Sequence, residues 1–156
     1  MTILFVSLIS RDNRPLYIQP FVAGSAADER TANELLKYNF LSHMSLDIFE
    51  SPFAQPAPDP NTKKTYVLLF VQDGVYVFGH QTSTGLRIVV GATRAENELP
   101  DEGLNGVFAD IQRAYLKLVC NPFKTIESEN EEIENPRFDR QIKEAVARWE
   151  NRSLST

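Results

Sequence analysis

The residues 3–10, Ile-Leu-Phe-Val-Ser-Leu-Ile-Ser, constrain this chain most. They read as a strand that is apolar on both faces. Ile3, Phe5 and Ile9 alternate to one side; Leu4, Val6 and Leu8 alternate to the other. A strand of this kind must be covered on both faces of its sheet. Arg11-Asp12-Asn13-Arg14 then makes a turn, because Asp and Asn bond their own backbone and tolerate tight geometry. Residues 15–19 return as a short strand, with Pro15 at its first position, where no ladder donor is needed.

Residues 20–28 read as a loop. A Thr31/Glu34 capping box starts a helix over 31–50. Four prolines within 51–62 exclude helix and central strand there. Three strands follow, at 65–72, 75–81 and 86–91, with Asp73-Gly74 as a hairpin signal and a second turn at 82–85. Residues 94–98 are polar and loop-like, and Pro100 sits ahead of a helix over 102–120, which stops before Pro122. An acidic segment spans 124–134, and its run 127–134 reads as solvated loop. Asn135 and Pro136 open a third helix to about residue 151. The order ββαβββαα predicts an α/β (α+β) domain: a five-stranded antiparallel sheet with one helix on one face and two on the other. One domain spans 1–156.

The helices differ in pattern. At about 100° per residue, Leu104, Val107, Phe108, Ile111, Tyr115 and Leu118 form a single stripe on the second helix, and Phe138, Ile142, Ala145 and Trp149 form one on the third. The first helix has two arcs. Leu36, Phe40, Leu41, Met44 and Ile48 make one; Leu35, Tyr38, Leu46 and Phe49 make the other. One stripe covers the chain's own core; a second calls for a partner protein. The alternative is that the proline-rich segment and Phe53 cover this helix. Asp47, at the edge of the larger arc and at the wrong helix end for the macrodipole, reads either as a solvated carboxylate near the helix end or as a polar contact at an interface. The candidate partner-binding residues are therefore Leu35, Tyr38, Leu46, Asp47 and Phe49. An exposed apolar face also makes a homodimer of the isolated chain an expectation.

Little else resembles chemistry. The two histidines, His43 and His80, exclude a three-histidine metal site from this chain alone, and Ser42, His43 and Asp47 on one helix do not make a triad. Cys120, ending the second helix, reads as a small buried hydrophobe. The glycines match no phosphate-cradling loop. No cofactor and no metal is expected. The net charge of −5 is opposite to a nucleic-acid footprint and gives no attraction to anionic lipid. No stretch approaches a membrane span, no signal peptide is evident at the N-terminus, and a lone cysteine suits a reducing compartment; the expected location is cytoplasmic.

Asn13-Arg14-Pro15-Leu16-Tyr17-Ile18, Lys37-Tyr38-Asn39-Phe40 running to Ser45-Leu46-Asp47, Thr84-Gly85-Leu86-Arg87-Ile88-Val89-Val90-Gly91, and above all Val119-Cys120-Asn121-Pro122-Phe123 resemble the sedlin family, subunits of the TRAPP tethering complexes, and within it the sedlin-like subunits of fungi and animals. The proline-rich insertion and the acidic segment depart from the family pattern. The resemblance implies a longin-like (SNARE-like) fold. It implies a non-enzymatic subunit that binds other TRAPP subunits, in complexes that tether vesicles and serve as exchange factors for Rab GTPases, with peripheral association at Golgi and endosomal membranes through the complex. It also implies that the Leu46-Asp47 step lies at or near partner contacts. The alternative function is a longin-type regulatory domain that binds a SNARE or a GTPase directly; a SNARE would carry heptads and an anchor after the domain.

Overall fold

A computed structural model describes residues 2–21, 29–50, 66–82, 84–93, 104–120 and 136–154. The elements are β1 (Thr2–Ile9), β2 (Pro15–Pro20), α1 (Glu29–Glu50), β3 (Val67–Gln72), β4 (Val75–Gln81), β5 (Arg87–Thr93), α2 (Leu104–Val119) and α3 (Pro136–Leu154). The expected order of elements is the observed one. The strands form one sheet in the order β2-β1-β5-β4-β3, antiparallel at every pairing. The result is the longin-like arrangement.

Turn chemistry sets the three hairpins. Asn13 takes φ 64° in the β1–β2 turn, a conformation that Asn tolerates because its short side chain bonds locally. Ser10 fixes that turn: its backbone N–H donates to the Arg14 carbonyl (2.8 Å) and its hydroxyl accepts from the Arg14 N–H (3.1 Å). Asp73 and Gly74 both have positive φ (52° and 77°), the combination a two-residue hairpin needs. Gly85, at φ 95°, closes the β4–β5 turn by donating to the Thr82 carbonyl at 3.0 Å.

The sheet is covered on both faces. Ile3, Val6, Leu8, Ile88 and Val90 pack with Leu104, Val107, Phe108 and Ile111 of α2 and with Phe138, Ile142 and Val146 of α3. Phe5, Ile9, Val77 and Val89 pack with Tyr38, Leu41 and Phe49 of α1. Both aspects of the expectation about layers hold, since α2 and α3 share one face and α1 takes the other.

Four local expectations need correction. Ile3 belongs to the α2/α3 face, because the β1–β5 register shifts between Ile3 and Phe5; such an irregularity inserts a residue and swaps the alternation, so Leu4 joins Phe5 on the α1 face. Helix α1 starts at Glu29, so Thr31 lies inside it and is not its cap; Glu29 and Arg30 are themselves good helix formers. Helix α3 runs on to Leu154. Cys120 is exposed. Counted at 100° per residue from Leu104, it falls opposite the buried stripe of α2. The proline-rich segment with Phe53, residues 94–98, Pro100, the acidic segment and Asn135 lie outside the described residues.

Candidate interaction surface

Among the described helices, α1 is alone on its face of the sheet, and the way it is seated determines what it offers outward. Tyr38 stacks on Phe5 with ring centroids 5.0 Å apart and planes inclined by 23°. The Phe5 ring occupies the space that a side chain on Gly91 would need: a Cβ there would stand 2.1 Å from the ring. Gly79 serves Phe49 in the same way, with a Cβ position 2.6 Å from that ring. Between these two aromatic anchors the helix approaches the sheet through serines. The Ser42 and Ser7 hydroxyls are hydrogen-bonded at 2.7 Å, both buried, and Ser45 donates to the Ser42 carbonyl. A buried hydroxyl with a partner avoids the penalty of desolvation.

This seating redistributes the two expected arcs. The inward face is Tyr38, Leu41, Ser42, Ser45 and Phe49, which draws on both arcs and is centred on a serine. Tyr38 and Phe49 are only 4% and 7% exposed. They anchor α1 to the sheet and present no free surface, so a charged residue at Phe49 would disrupt the core before it released a partner. Leu46 is partly buried against the same cluster. Leu35 stands at the exposed margin, and Asp47 is exposed. The outward face carries two large apolar side chains that the sequence reading assigned to the other arc: Leu36, 66% exposed, and Phe40, 61% exposed. Leu36, Phe40, His43 and Asp47 follow one another at spacings of four, three and four residues, which places them in a single stripe along the helix. Serine misled the pattern. It counts as polar, yet here it marks the line of closest approach.

Among the described residues, no strand pairs with the outer edge of β3. Strand β2, at the other edge, begins and ends in proline, a usual protection against pairing. Strand β3 reads Val-Leu-Leu-Phe-Val-Gln, with neither proline nor charge, and Leu68 and Val71 are exposed on it. Its partners across β4, Phe78 and Tyr76, pack with the α2/α3 cluster, so Leu68 and Val71 share that face. Helix α1 touches β3 on the other face.

The remaining candidate residues are separate from this surface or from each other. His80 lies edge-on to Phe108, 6.2 Å between centroids, on the α2 side of the sheet; His43 is exposed on α1. Among the described residues no three His, Cys, Asp or Glu side chains come together as a metal site would require. Burial raises the Tyr38 hydroxyl above its usual value, with Glu34 adding to it. Burial raises Tyr17 far more, helped by its hydrogen bond to Asp139 and that group's charge. Both phenols thus stay neutral structural groups. A cleft of about 260 Å³ lies between the β1–β2 turn and the end of α2, lined by Ser10, Arg11, Asp12, Leu86, Tyr115 and Val119. No described helix is long and apolar enough to cross a membrane.

Comparison with known proteins agrees with this architecture. The family model described as Sedlin matches residues 8–148. TRAPP-associated protein TCA17 of Saccharomyces cerevisiae is 36% identical over 124 residues, covering 76% of this chain and 77% of the relative. The trafficking protein particle complex subunit 2-like proteins of Bos taurus and Dictyostelium discoideum are each 27% identical. The first covers 76% of this chain and 80% of the relative; the second covers 92% and 96%. With its longin-like sheet, α1 on one face and α2 and α3 on the other, and a family match that spans most of its length, the chain belongs to the sedlin family.

Proposed function

We propose that this protein is a non-enzymatic assembly subunit of a TRAPP vesicle-tethering complex, docking on other TRAPP subunits through the outward face of α1 and the β3 edge. Through the assembled complex it supports Rab exchange-factor function in Golgi and endosomal transport, working in the cytoplasm and meeting membranes only by way of the complex. The observation that carries this reading is the exposure of Leu36 and Phe40 on a helix whose opposite side is already fully used by the sheet. An aromatic and an aliphatic anchor with a carboxylate, Asp47, in the same stripe is the composition of a protein-binding patch: a large apolar contact with a polar group that fixes register. The names of the relatives point to the class of partner.

The test is affinity isolation of the tagged full chain from cells, with TRAPP subunits quantified by mass spectrometry. Leu36→Glu and Phe40→Glu are expected to lower recovery of those subunits at least about tenfold, the equivalent of losing one modest hot spot, with the melting temperature unchanged. Undiminished recovery with both variants would refute docking through α1. Recovery of a GTPase or a SNARE in place of TRAPP subunits would favour direct regulation.

A further inference from the structure

Arg87 is the one buried charged side chain among the described residues, only 8% exposed, and it stands where three elements meet. It opens β5, opposite Ile9 of β1. Its guanidinium lies over the Phe49 ring, 5.4 Å from the centroid. Its Nη1 donates to the Asn13 side-chain oxygen, and the Asn13 side-chain nitrogen donates to a Glu50 carboxylate oxygen. Its Nε has no hydrogen-bond partner among the described residues. A buried guanidinium with an unmatched donor is an expensive way to hold a core together; an apolar residue of the same volume would serve stability at least as well. What the arginine supplies that an apolar side chain does not is direction. It grips the aromatic ring from the sheet side and reaches Glu50 through one amide, so the last turn of α1 is held to the β1–β2 turn at a defined angle.

We propose that Arg87, Asn13 and Glu50 form a clamp that sets the position of the last turn of α1, and with it Asp47 at the C-terminal end of the outward stripe. Asp47 stands three residues before Glu50 on the same helix, so a clamp at Glu50 acts within one turn of it. The clamp rests on the docking reading above and assigns the three residues a positioning role in it; none of them needs to touch the partner.

Asn13→Gly is the informative variant, because glycine accepts φ 64° without strain and so removes the amide bridge while leaving the turn. Glu50→Ala removes the acceptor; Glu50→Gln keeps one. Hydrogen exchange of the amides in the last turn of α1, the melting temperature and recovery of TRAPP subunits are measured on each full-length variant. The clamp predicts that Asn13→Gly and Glu50→Ala speed exchange in the last turn but not around Leu41–Ser45. Recovery should fall about threefold, the scale of one solvent-exposed contact to a charged group. Glu50→Gln should restore both, with the melting temperature of the two Glu50 variants within about 3 °C of the parent; Asn13→Gly, which also takes the acceptor from the buried Arg87 donor, should lower it further. A merely structural role would lower protection along the whole helix together with the melting temperature, and that result overturns the proposal. So does unchanged last-turn exchange, or normal recovery by Asn13→Gly under conditions where Phe40→Glu loses it. Should Leu36→Glu and Phe40→Glu themselves retain the partners, the docking reading fails and the positioning role falls with it, whereas the exchange measurement still reports whether the clamp holds the helix.

Discussion

At the scale of single residues, the α1 face of the sheet is decided by what glycine leaves out. Gly91 and Gly79 lie on neighbouring strands, each beneath an aromatic ring that fills the missing side chain's place. Gly91→Ala forces Phe5 to move, and Phe5 cannot move without displacing the stacked Tyr38. Overpacking of this kind costs about 1–3 kcal/mol. Urea denaturation of Gly91→Ala is expected to show a loss in that range; an unchanged midpoint would mean that the Phe5 ring has other room. Nothing about Gly91 in the sequence announces this. It sits in the run Ile-Val-Val-Gly-Ala-Thr, where glycine reads as a weak point in a strand.

At the scale of elements, α1 is a helix with two different apolar populations, and they are separable by experiment. Tyr38 and Phe49 face the sheet, while Leu36 and Phe40 face outward. Truncating a buried aromatic residue removes both its transfer free energy and its packing, about 3–5 kcal/mol, whereas an exposed site changes stability by about 0.5 kcal/mol or less. Phe49→Ala is therefore expected to lower the unfolding free energy by several kcal/mol and Phe40→Ala hardly at all, as measured by denaturation of the two variants side by side. Equal losses would contradict the seating of the helix. The same contrast explains why α2 and α3 were easy to read and α1 was not. Their stripes contain only apolar side chains, so period and burial coincide. In α1 the buried line runs through Ser42 and Ser45, and helical period alone cannot tell a serine at the interface from one in water.

At the scale of the whole molecule, two layers are tied to one sheet at different points. The α1 layer is tied through Arg87, Asn13 and Glu50. The α3 layer is tied through Tyr17 of β2, which meets Phe138 edge-on at 4.9 Å and hydrogen-bonds Asp139. The raised Tyr17 value has a consequence for pH. The unfolded chain loses the phenolic proton near its usual value of 10.0 while the folded chain keeps it. Over that range the unfolded state binds fewer protons, so stability is fully present below about pH 10 and declines as pH rises beyond it. Tyr17→Phe removes the titrating group. Urea midpoints between about pH 8 and 11 should fall less steeply for the variant than for the parent chain; parallel curves would show that the hydroxyl is not shielded from water in the folded chain.

Hydrophobic period, turn residues and the two-faced N-terminal strand were enough to determine element order, an antiparallel five-stranded sheet and the division of the helices between its faces, because those depend on local geometry and on the need to cover apolar surface. The match of short strings such as Asn13–Ile18 to the sedlin family pointed to the same fold. The tertiary structure alone decided which side of α1 faces inward, that Ile3 crosses to the other face through an irregular pairing, and that Arg87 reaches Asn13 from 74 positions away. Each of these depends on which backbone stands opposite. A close approach made by serine and glycine, a one-residue shift in register or a bond between distant turns leaves no periodic trace in the chain.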